Sequence, residues 1–508
     1  MLPTTFVAIV LASWSSFHLL HNFICTNAHT SPAVSNFLQN NNIFVTPFQV
    51  RWFTQRWNRW IVKLGRSWNL KIWFDLGVLF GGVSMVAATA LLIHTLLTSI
   101  KDLPFFREPS QLASPQVLTV IVPGINLPLK DIWYLLSAVL ISGILHELGH
   151  ALAAASEGVK MNGFGMFMFV IYPGAFVDLN SEDLNKANTK KQLRIYCAGV
   201  WHNFAICIIA CALILLLPFI LTPVYAQKGQ GVVVTFQDKM SPLQGESGLH
   251  LGDKILSLDH CSISTAKDWL QCLNLTIHTP QAGSCISVSQ MNALELTDGK
   301  LQPSSTAGNR VDCCGSNPPA THLCYQFQTD SDERFSCLPG RTVIAGRPCV
   351  TNDGCNDKQM SEGNQRNVCV VPYLETPARF LRIVASRNFP PFAKHHVLYL
   401  GDPVDLLRFI SVSEYEPRFS PMPLQLPAVM LKFLQYMFSM SGALALLNIV
   451  PCYALDGQWA FKTFLDHFYV TPPNLSHRKE LIYKIVLGIG TLLVASNILF
   501  GFAHILTR

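Results

Sequence analysis

Residues 132–155, with the sequence IWYLLSAVLISGILHELGHALAAA, decide the fold of this chain. The stretch is apolar except for His146, Glu147 and His150, and it is long enough for a helix that crosses a bilayer, which needs about 20 residues. An ionisable side chain at mid-bilayer costs about 2.5–3.5 kcal/mol on insertion scales. Because such groups in a membrane segment normally serve a function, the stretch predicts a membrane helix that carries chemistry.

The composition of the whole chain agrees with a membrane protein that also has a more polar part. Of the 508 residues, 50% are hydrophobic and 13% are charged, whereas about 25% are charged in a typical soluble protein. A disordered chain, which needs many charges and few aromatic residues, is excluded. The net charge of +6 includes no basic run long enough to indicate nucleic-acid binding, so no direct nucleic-acid partner is expected.

The apolar residues are grouped into six stretches, of which we count at least four as membrane spans. The stretches are 4–20, 76–97, 132–155, 196–221, 428–450 and 481–503. The first is expected to be a retained anchor rather than a cleaved signal peptide, because no Lys or Arg precedes it. The predicted domains are an anchor with a basic, Trp-rich loop (1–72), a first membrane half (73–222), a lumenal domain (223–427) and a second membrane half (428–508).

Ten of the 15 cysteines lie in the polar segment between residues 222 and 427. An even number of cysteines in such a segment predicts disulfides formed in an oxidising compartment. A cytosolic zinc-binding loop is the alternative, but the paired CxxC spacing typical of zinc loops is absent. The sequon at Asn274 is a candidate glycosylation site on a lumenal face. The ten cysteines are Cys261, Cys272, Cys285, Cys313, Cys314, Cys324, Cys337, Cys349, Cys355 and Cys369.

Basic residues next to the span at 196–221 predict its orientation. Lys186, Lys190, Lys191 and Arg194 come just before the span, and positive charges favour the cytosolic side. The span then leads to the lumen, where the cysteines are expected. This topology predicts an active site within the membrane, toward its cytosolic side.

The segment 51–71 is basic and rich in tryptophan. Its Trp52, Trp57, Trp60 and Trp68 alternate with arginines, which predicts an amphipathic helix at the membrane interface. The side of the membrane is left open, because it depends on how many of the preceding stretches cross.

The segment 161–176, MNGFGMFMFVIYPGAF, follows the apolar stretch 132–155. It is too short and too rich in glycine for a span, and a re-entrant extended segment is predicted. Core packing by its Phe and Met side chains is the alternative reading of the pattern.

His146, Glu147 and His150 form an HExxH pattern. Residues at positions i and i+4 of a helix share one face, so both imidazoles can reach one metal ion. Glu147 is placed to take a proton from water at that metal. The alternative is a structural cluster that hydrogen-bonds to neighbouring helices. Catalytic zinc normally has three protein ligands, so a third ligand is needed.

The best candidate for that ligand is Asp456, in the stretch 448–457, NIVPCYALDG. Pro451 lacks an N–H group and would break a helix, and Gly457 permits unusual backbone angles. An unwound stretch at membrane depth is tolerated only inside protein or beside a wet cavity, where an active-site carboxylate would lie. The alternative is that Asp456 caps the following helix.

These two motifs together resemble the site-2 protease family of intramembrane zinc metalloproteases. Residues 198–203, AGVWHN, resemble that family's Gly-x-x-x-Asn element. The Cys-rich insertion and the N-terminal extension resemble its animal branch, although the serine-rich tract of some animal members is absent. The motifs cover residues 132–221 and 428–503.

The resemblance implies roles for specific residues. It implies one catalytic Zn²⁺ with Glu147 as the general base and, as metal ligands, His146, His150 and Asp456. Substrate binding or organisation of the unwound stretch is the candidate role of Asn448, Asn203, Pro451 and Gly457. For Asn203 a helix–helix hydrogen bond is the alternative.

The function implied is an intramembrane zinc endopeptidase. Its substrates would be transmembrane segments of membrane-anchored transcription factors already cut once on the lumenal side, in the sterol and unfolded-protein responses. The resemblance also implies a multi-pass membrane protein that is located in the Golgi or endoplasmic reticulum and contacts the lipid bilayer. A metal transporter and a non-catalytic lumenal receptor are the alternatives, although we find neither repeated halves nor a fourth protein ligand.

The lumenal segment also resembles a known module. Residues 231–234 (GVVV) and 248–255 (GLHLGDKI) resemble a strand and turn of a PDZ domain, which the family often carries. Residues 398–403 would supply its return part, with 285–369 as an insertion. The predicted fold class is a polytopic α-helical membrane protein with a lumenal PDZ-like α+β domain carrying a Cys-rich insertion.

Overall fold

The computed structural model groups the chain into two compact units. We call them the membrane unit (Met1–Leu217 and Met430–Arg508) and the β-rich unit (Pro218–Val429). The structure describes residues 8–9, 11–19, 37–67, 70–101, 121, 126–227, 229–245, 248–295, 304–306, 310–314, 321–328, 333–355, 367–374, 377–387, 394–419, 421–469 and 476–506.

The longest α-helices belong wholly or mostly to the membrane unit, and the helices of the β-rich unit are shorter. In chain order they are α1 (Asn58–Ser67), α2 (Lys71–Lys101), α3 (Ile132–Glu157), α4 (Ser181–Lys186), α5 (Thr189–Leu221), α6 (Ala266–His278), α7 (Val288–Leu294), α8 (Gly340–Ile344), α9 (Leu406–Phe409), α10 (Leu426–Asn448), α11 (Asp456–Phe468) and α12 (Ser476–Leu506).

The strands form several separate sheets. In chain order they are β1 (Ile43–Thr46), β2 (Gln49–Thr54), β3 (Met161–Phe169), β4 (Tyr172–Leu179), β5 (Tyr225–Ala226), β6 (Val232–Gln237), β7 (Lys254–Leu258), β8 (Cys261–Ser262), β9 (Gly283–Ser287), β10 (Ser304–Thr306), β11 (Arg310–Asp312), β12 (His322–Gln328), β13 (Glu333–Pro339), β14 (Pro348–Cys349), β15 (Asn367–Pro372), β16 (Arg379–Ser386), β17 (Lys394–Gly401), β18 (Ile410–Ser413) and β19 (Glu416–Pro417).

Five helices of the described residues are long and apolar enough to cross a membrane: α2, α3, α5, α10 and α12. They coincide with the last five predicted stretches, so the prediction of a polytopic membrane protein is confirmed. The first predicted stretch, 4–20, falls partly outside the described residues. Within it, residues 11–19 are described and helical.

Polar contacts hold the ends of these helices together. The Arg194 guanidinium of α5 donates to Glu157 of α3 at 2.6 Å and to Asp75 of α2 at 2.7 Å. The Lys432 ammonium of α10 donates to Asp131, just before α3, at 2.8 Å. Because lipid tails give helices little hydrophobic drive to associate, such bonds and close packing set their arrangement.

The membrane unit also contains a four-stranded antiparallel sheet in the order β1-β2-β3-β4. The prediction that 161–176 is extended is confirmed, since β3 and β4 form a hairpin. The prediction of a helix throughout 51–71 is wrong in its first part: Arg51 and Trp52 lie in β2, opposite Phe167 and Met166 of β3. Only Asn58–Ser67 is helical, and Trp68 lies outside the described residues. The pairing joins segments about a hundred residues apart, which local periodicity does not reveal.

The first part of the β-rich unit is a sheet with the strand order β17-β16-β7-β6-β18, and β8 pairs with β7. Helix α6 packs on its core, where Val232, Ile255 and Trp269 are fully buried. A capping box starts that helix: Asp268 N–H donates to the Thr265 hydroxyl and Thr265 N–H donates to the Asp268 carboxylate.

The second part is a five-stranded sheet in the order β13-β12-β15-β9-β14, built from residues 283–372. All ten cysteines of the β-rich unit are paired, which confirms the predicted disulfides. The pairs are Cys261–Cys272, Cys285–Cys355, Cys313–Cys324, Cys314–Cys337 and Cys349–Cys369.

Candidate metal centre

Three potential metal ligands converge inside the membrane unit. His150 Nε2 lies 3.2 Å from His146 Nε2. One carboxylate oxygen of Asp456, Oδ2, lies 2.8 Å from His146 Nε2 and 3.3 Å from His150 Nε2. Both histidine side chains are buried, with 5% and 8% of their surface exposed, whereas the Asp456 side chain is 27% exposed. A cluster of this kind, open on one side, can hold a metal ion and still admit a substrate.

The local sequence explains how the donors reach one point. The two histidines lie one turn apart on α3 and so share a face. Helix α10 ends at Asn448, before Pro451, and α11 begins at Asp456. Leu455 occupies the N-cap position, and no side-chain capping bond is present. The carboxylate therefore faces the histidines rather than its own helix end.

The backbone between α10 and α11 finds partners although it is not helical. Tyr453 N–H donates to the Thr491 hydroxyl at 3.1 Å, and Ala454 N–H donates to the Gln458 side-chain oxygen at 3.2 Å. Ala454 has a positive φ of 70°, which marks a sharp turn. Since unpaired backbone groups are costly at membrane depth, these two side chains stabilise the unwound stretch.

Two glycines let neighbouring backbone approach this stretch. A Cβ on Gly457 would overlap the Val450 carbonyl oxygen, and a Cβ on Gly490 of α12 would overlap the Pro451 carbonyl oxygen. Gly457 therefore allows the chain to fold back on itself after the break, and Gly490 allows α12 to pack against it.

The second nitrogen of each imidazole also has a partner. His150 Nδ1 lies 2.7 Å from the Ile195 carbonyl oxygen of α5. His146 Nδ1 lies 3.0 Å from the Asn203 amide, also on α5, and Asn203 is fully buried. Metal-binding histidines usually have such outer partners, which orient the rings.

Asn448 contacts the other nitrogen of His146. Its amide nitrogen is 3.4 Å from His146 Nε2, and the residue is only partly buried.

Glu147 is held by the sheet rather than by a helix. Its Oε2 accepts a hydrogen bond of 3.0 Å from Val177 N–H on β4. Strand β4 is an edge of the four-stranded sheet, so a β4 N–H that points away from β3 can donate to a side chain outside the sheet. Sequence reasoning missed both Val177 N–H and the Ile195 carbonyl, because main-chain groups leave no mark in residue type.

Gly199 provides the space in which the histidine nitrogens meet. A Cβ on this residue would lie 2.6 Å from His146 Nε2 and closer still to His150 Nε2. Real Cβ atoms do not show separations under 3.0 Å. The Gly-x-x-x-Asn pattern singled out this residue, but its position beside the histidines could not be inferred from sequence.

The donor set fits zinc. Two imidazole nitrogens and one carboxylate oxygen are ligands that Zn²⁺ accepts in catalytic sites, with one position left for water or substrate. Donors about 2.0–2.1 Å from a tetrahedral zinc stand about 3.3 Å apart. The three separations of 2.8, 3.2 and 3.3 Å are close to this value, so a zinc ion requires only small movements of the ligands.

The structure also describes the sequon residue, a cysteine of the unwound stretch and a second group of potential ligands. Asn274 is exposed on α6 of the β-rich unit. Cys452, in the unwound stretch, directs its thiol to the Tyr453 carbonyl oxygen at 3.4 Å. The other cluster of potential ligands among the described residues is Cys285, Cys349 and Cys355, and all three are disulfide-bonded.

The chain is similar to known proteins over most of its length. The profile described as peptidase family M50 matches residues 134–493, a region that contains all three converging donors. The chain is also similar to an Arabidopsis thaliana protein named "Membrane-bound transcription factor site-2 protease homolog". The two are 27% identical over 469 residues, which cover 86% of this chain and 88% of the relative.

Proposed function

Because this chain belongs to peptidase family M50, a family of metalloproteases, we propose that it is an intramembrane zinc endopeptidase of the site-2 type. The observation that carries the proposal is the convergence of His146, His150 and Asp456 within 4.8 Å of one another. The two histidines lie in the middle of an apolar helix, where ionisable groups normally serve a function. We propose these three residues as the ligands of a single catalytic zinc.

The chain's own residues would divide the work of peptide hydrolysis. Bound zinc would supply Lewis-acid polarisation of the scissile carbonyl and make water a better nucleophile near neutral pH. Glu147 accepts a proton from the attacking water as the new C–O bond forms, and returns it to the leaving nitrogen as the C–N bond breaks. Val177 N–H keeps this carboxylate oriented. Asn448, whose amide is only partly buried, is the candidate to hold the substrate backbone.

The proposed substrates are transmembrane segments of membrane-anchored proteins. The location of the site among apolar helices supports this, because a soluble peptide would have to enter the bilayer to reach it. We propose membrane-tethered transcription factors already cut on their lumenal side, including those of the sterol and unfolded-protein responses. The name of the Arabidopsis relative supports the transcription-factor class.

The proposed orientation places the β-rich unit in the lumen of the Golgi or endoplasmic reticulum. Its five disulfides need an oxidising compartment, and its sequon at Asn274 is exposed. The basic residues between 186 and 194 would then be cytosolic. A site toward the cytosolic side suits release of a domain into the cytosol.

We propose that the first sheet of the β-rich unit is a PDZ-like domain. Residues 248–255 form a turn that leads into β7, next to β6 and close to α6, and 398–403 comprise the end of β17 and the two residues after it. The disulfide-bonded second sheet would be its insertion. Together with the membrane halves, this gives proposed domains 1–72, 73–222, 223–427 and 428–508.

The proposal is tested with full-length protein purified in detergent and a reporter that contains a substrate transmembrane segment. Glu147→Gln should lower cleavage by about 10²–10⁴-fold, because it removes the general base, and should retain one zinc per chain. Asp456→Asn should lose both zinc and cleavage. Glu182→Gln, an exposed acid on α4, is the matched control and should leave both unchanged.

The outcomes separate the alternatives. Full cleavage by the Glu147→Gln variant would overturn the protease mechanism. A zinc-dependent transport activity that survives Glu147→Gln, without any cleavage by the natural chain, would favour a transporter. Bound zinc without cleavage or transport would favour a receptor with a structural zinc.

A further inference from the structure

We propose that Asn203 is a positioning residue that sets the tautomer of His146: its side-chain oxygen accepts the Nδ1–H of that ring, so that Nε2 presents its lone pair to the metal. This inference rests on the proposed function, since it concerns the same zinc site. It assigns a role to a fully buried amide for which the sequence left substrate binding, site organisation and helix–helix bonding open.

The two imidazoles impose the requirement. Both turn their Nε2 atoms toward each other, at 3.2 Å, and toward Asp456 Oδ2. A metal ligand nitrogen must be unprotonated, so each neutral ring must carry its proton on Nδ1. For His150 this is assured, because its Nδ1 faces the Ile195 carbonyl oxygen at 2.7 Å, and a carbonyl can only accept.

For His146 the position of the ring proton depends on the Asn203 amide. Its nitrogen lies 3.0 Å from His146 Nδ1, while its oxygen is buried and has no hydrogen-bond partner among the described residues. An amide nitrogen facing Nδ1 would force the ring proton onto Nε2, where it would block a ligand position. The two ends of an amide are nearly identical in shape, and a half-turn brings the oxygen to Nδ1. Only that orientation is compatible with zinc at Nε2.

The spacing of the Gly-x-x-x-Asn pattern follows from this arrangement. Gly199 and Asn203 are one turn apart on α5 and therefore share a face. The glycine lies against the Nε2 atoms of both histidines, and the asparagine contacts the opposite nitrogen of one of them. One face of α5 thus makes room for the metal and directs the ring that binds it.

The test compares zinc affinity, measured by competition with a chelator on full-length protein in detergent. Asn203→Leu keeps the size of the side chain but removes the acceptor, and should weaken zinc binding by about 10–100-fold. Asn203→Asp keeps an acceptor and should remain within about threefold of the natural chain. Asn497→Leu is the matched control: this amide, half-buried on the candidate membrane helix α12, donates to the Leu92 carbonyl oxygen at 3.1 Å, and its replacement should leave zinc affinity unchanged.

The results distinguish this inference from the proposed function. Natural affinity in Asn203→Leu, or an equal loss in Asn203→Leu and Asn497→Leu, would overturn the positioning role while leaving the protease intact. If Asn203→Leu does not fold, a loss of tenfold or more in folded Asn203→Asp would overturn it as well. Failure of the natural chain to bind zinc would instead overturn the proposed function.

Discussion

The proposed metal centre depends on the missing side chain of Gly199 as well as on the ligands themselves. The glycine lies on α5 against the Nε2 atoms of His146 and His150. Any Cβ would push at least one ring away from the common point. Catalytic groups must be placed accurately, since a misplacement of about 1 Å can lower the reaction rate by about 10²-fold.

We therefore expect Gly199→Ala to lose zinc affinity by at least about tenfold and reporter cleavage by about 10²-fold or more. Chelator competition and the reporter assay measure the two effects. The control is Gly143→Ala on α3, where the nearest atom to a new Cβ, Ala175 N, is 3.9 Å away. Zinc binding by the Gly199→Ala variant as tight as that of the natural chain would contradict this view of the site.

At this scale the sequence predicts side chains well and main-chain partners not at all. HExxH is visible because i and i+4 lie on one helix face, and Asp456 is suggested by the proline and glycine around it. Val177 N–H and the Ile195 carbonyl are groups that every such residue has. Their contacts to Glu147 and His150 arise only when β4 and α5 pack beside α3.

Among the elements, the unwound stretch between α10 and α11 links the membrane helices to the proposed site. Its backbone is supported from α12, through the Thr491 hydroxyl and the close approach of Gly490 to the Pro451 carbonyl. Helix α12 contributes none of the three converging donors. It nevertheless fixes the position from which Asp456 projects.

Gly490→Ala should consequently lower the free energy of unfolding by about 1–3 kcal/mol, a typical cost of overpacking, and weaken zinc binding. Gly488→Ala, two residues earlier on the same helix, should change neither, because nothing lies within 4 Å of its added Cβ. Thermal unfolding in detergent and zinc titration provide the comparison. Equal behaviour of the two variants would show that α12 does not support the break.

The helices were predictable element by element, but the sheet of the membrane unit was not. An apolar stretch of 20 residues identifies a membrane helix from composition alone. The helix prediction for 51–71 was wrong in its first part because alternating Trp and Arg residues are compatible both with an interfacial helix and with a strand. What decided its first part was pairing with β3, a contact distant in sequence.

For the whole molecule, the separation of the disulfides and the apolar helices into two units allows a test of orientation. The five disulfides lie in the β-rich unit, whereas the free cysteines of the described residues, Cys197, Cys207, Cys211 and Cys452, lie in the membrane unit. The proposed lumenal orientation of the β-rich unit would account for this distribution, because disulfides persist in oxidising compartments.

In secretory cells we expect the chain to carry an N-linked glycan on Asn274, because the sequon is exposed on α6. Glycosidase treatment should increase its gel mobility. In the Asn274→Gln variant this increase should be smaller by the contribution of one glycan. Asn292→Gln, an exposed asparagine outside any sequon, is the control. No difference between the two variants would argue against a lumenal β-rich unit or against use of this site.

The order of the ligands along the chain has a consequence for biosynthesis. His146 and Asp456 are separated by 310 residues, and ribosomes add about 5–20 residues per second, so about 15–60 s pass between their synthesis. During that time the nascent chain has two histidines in the membrane but no carboxylate to complete the proposed zinc site. Until Asp456 has been synthesised and inserted, the nascent chain would therefore have no proteolytic activity and could not cleave neighbouring membrane proteins.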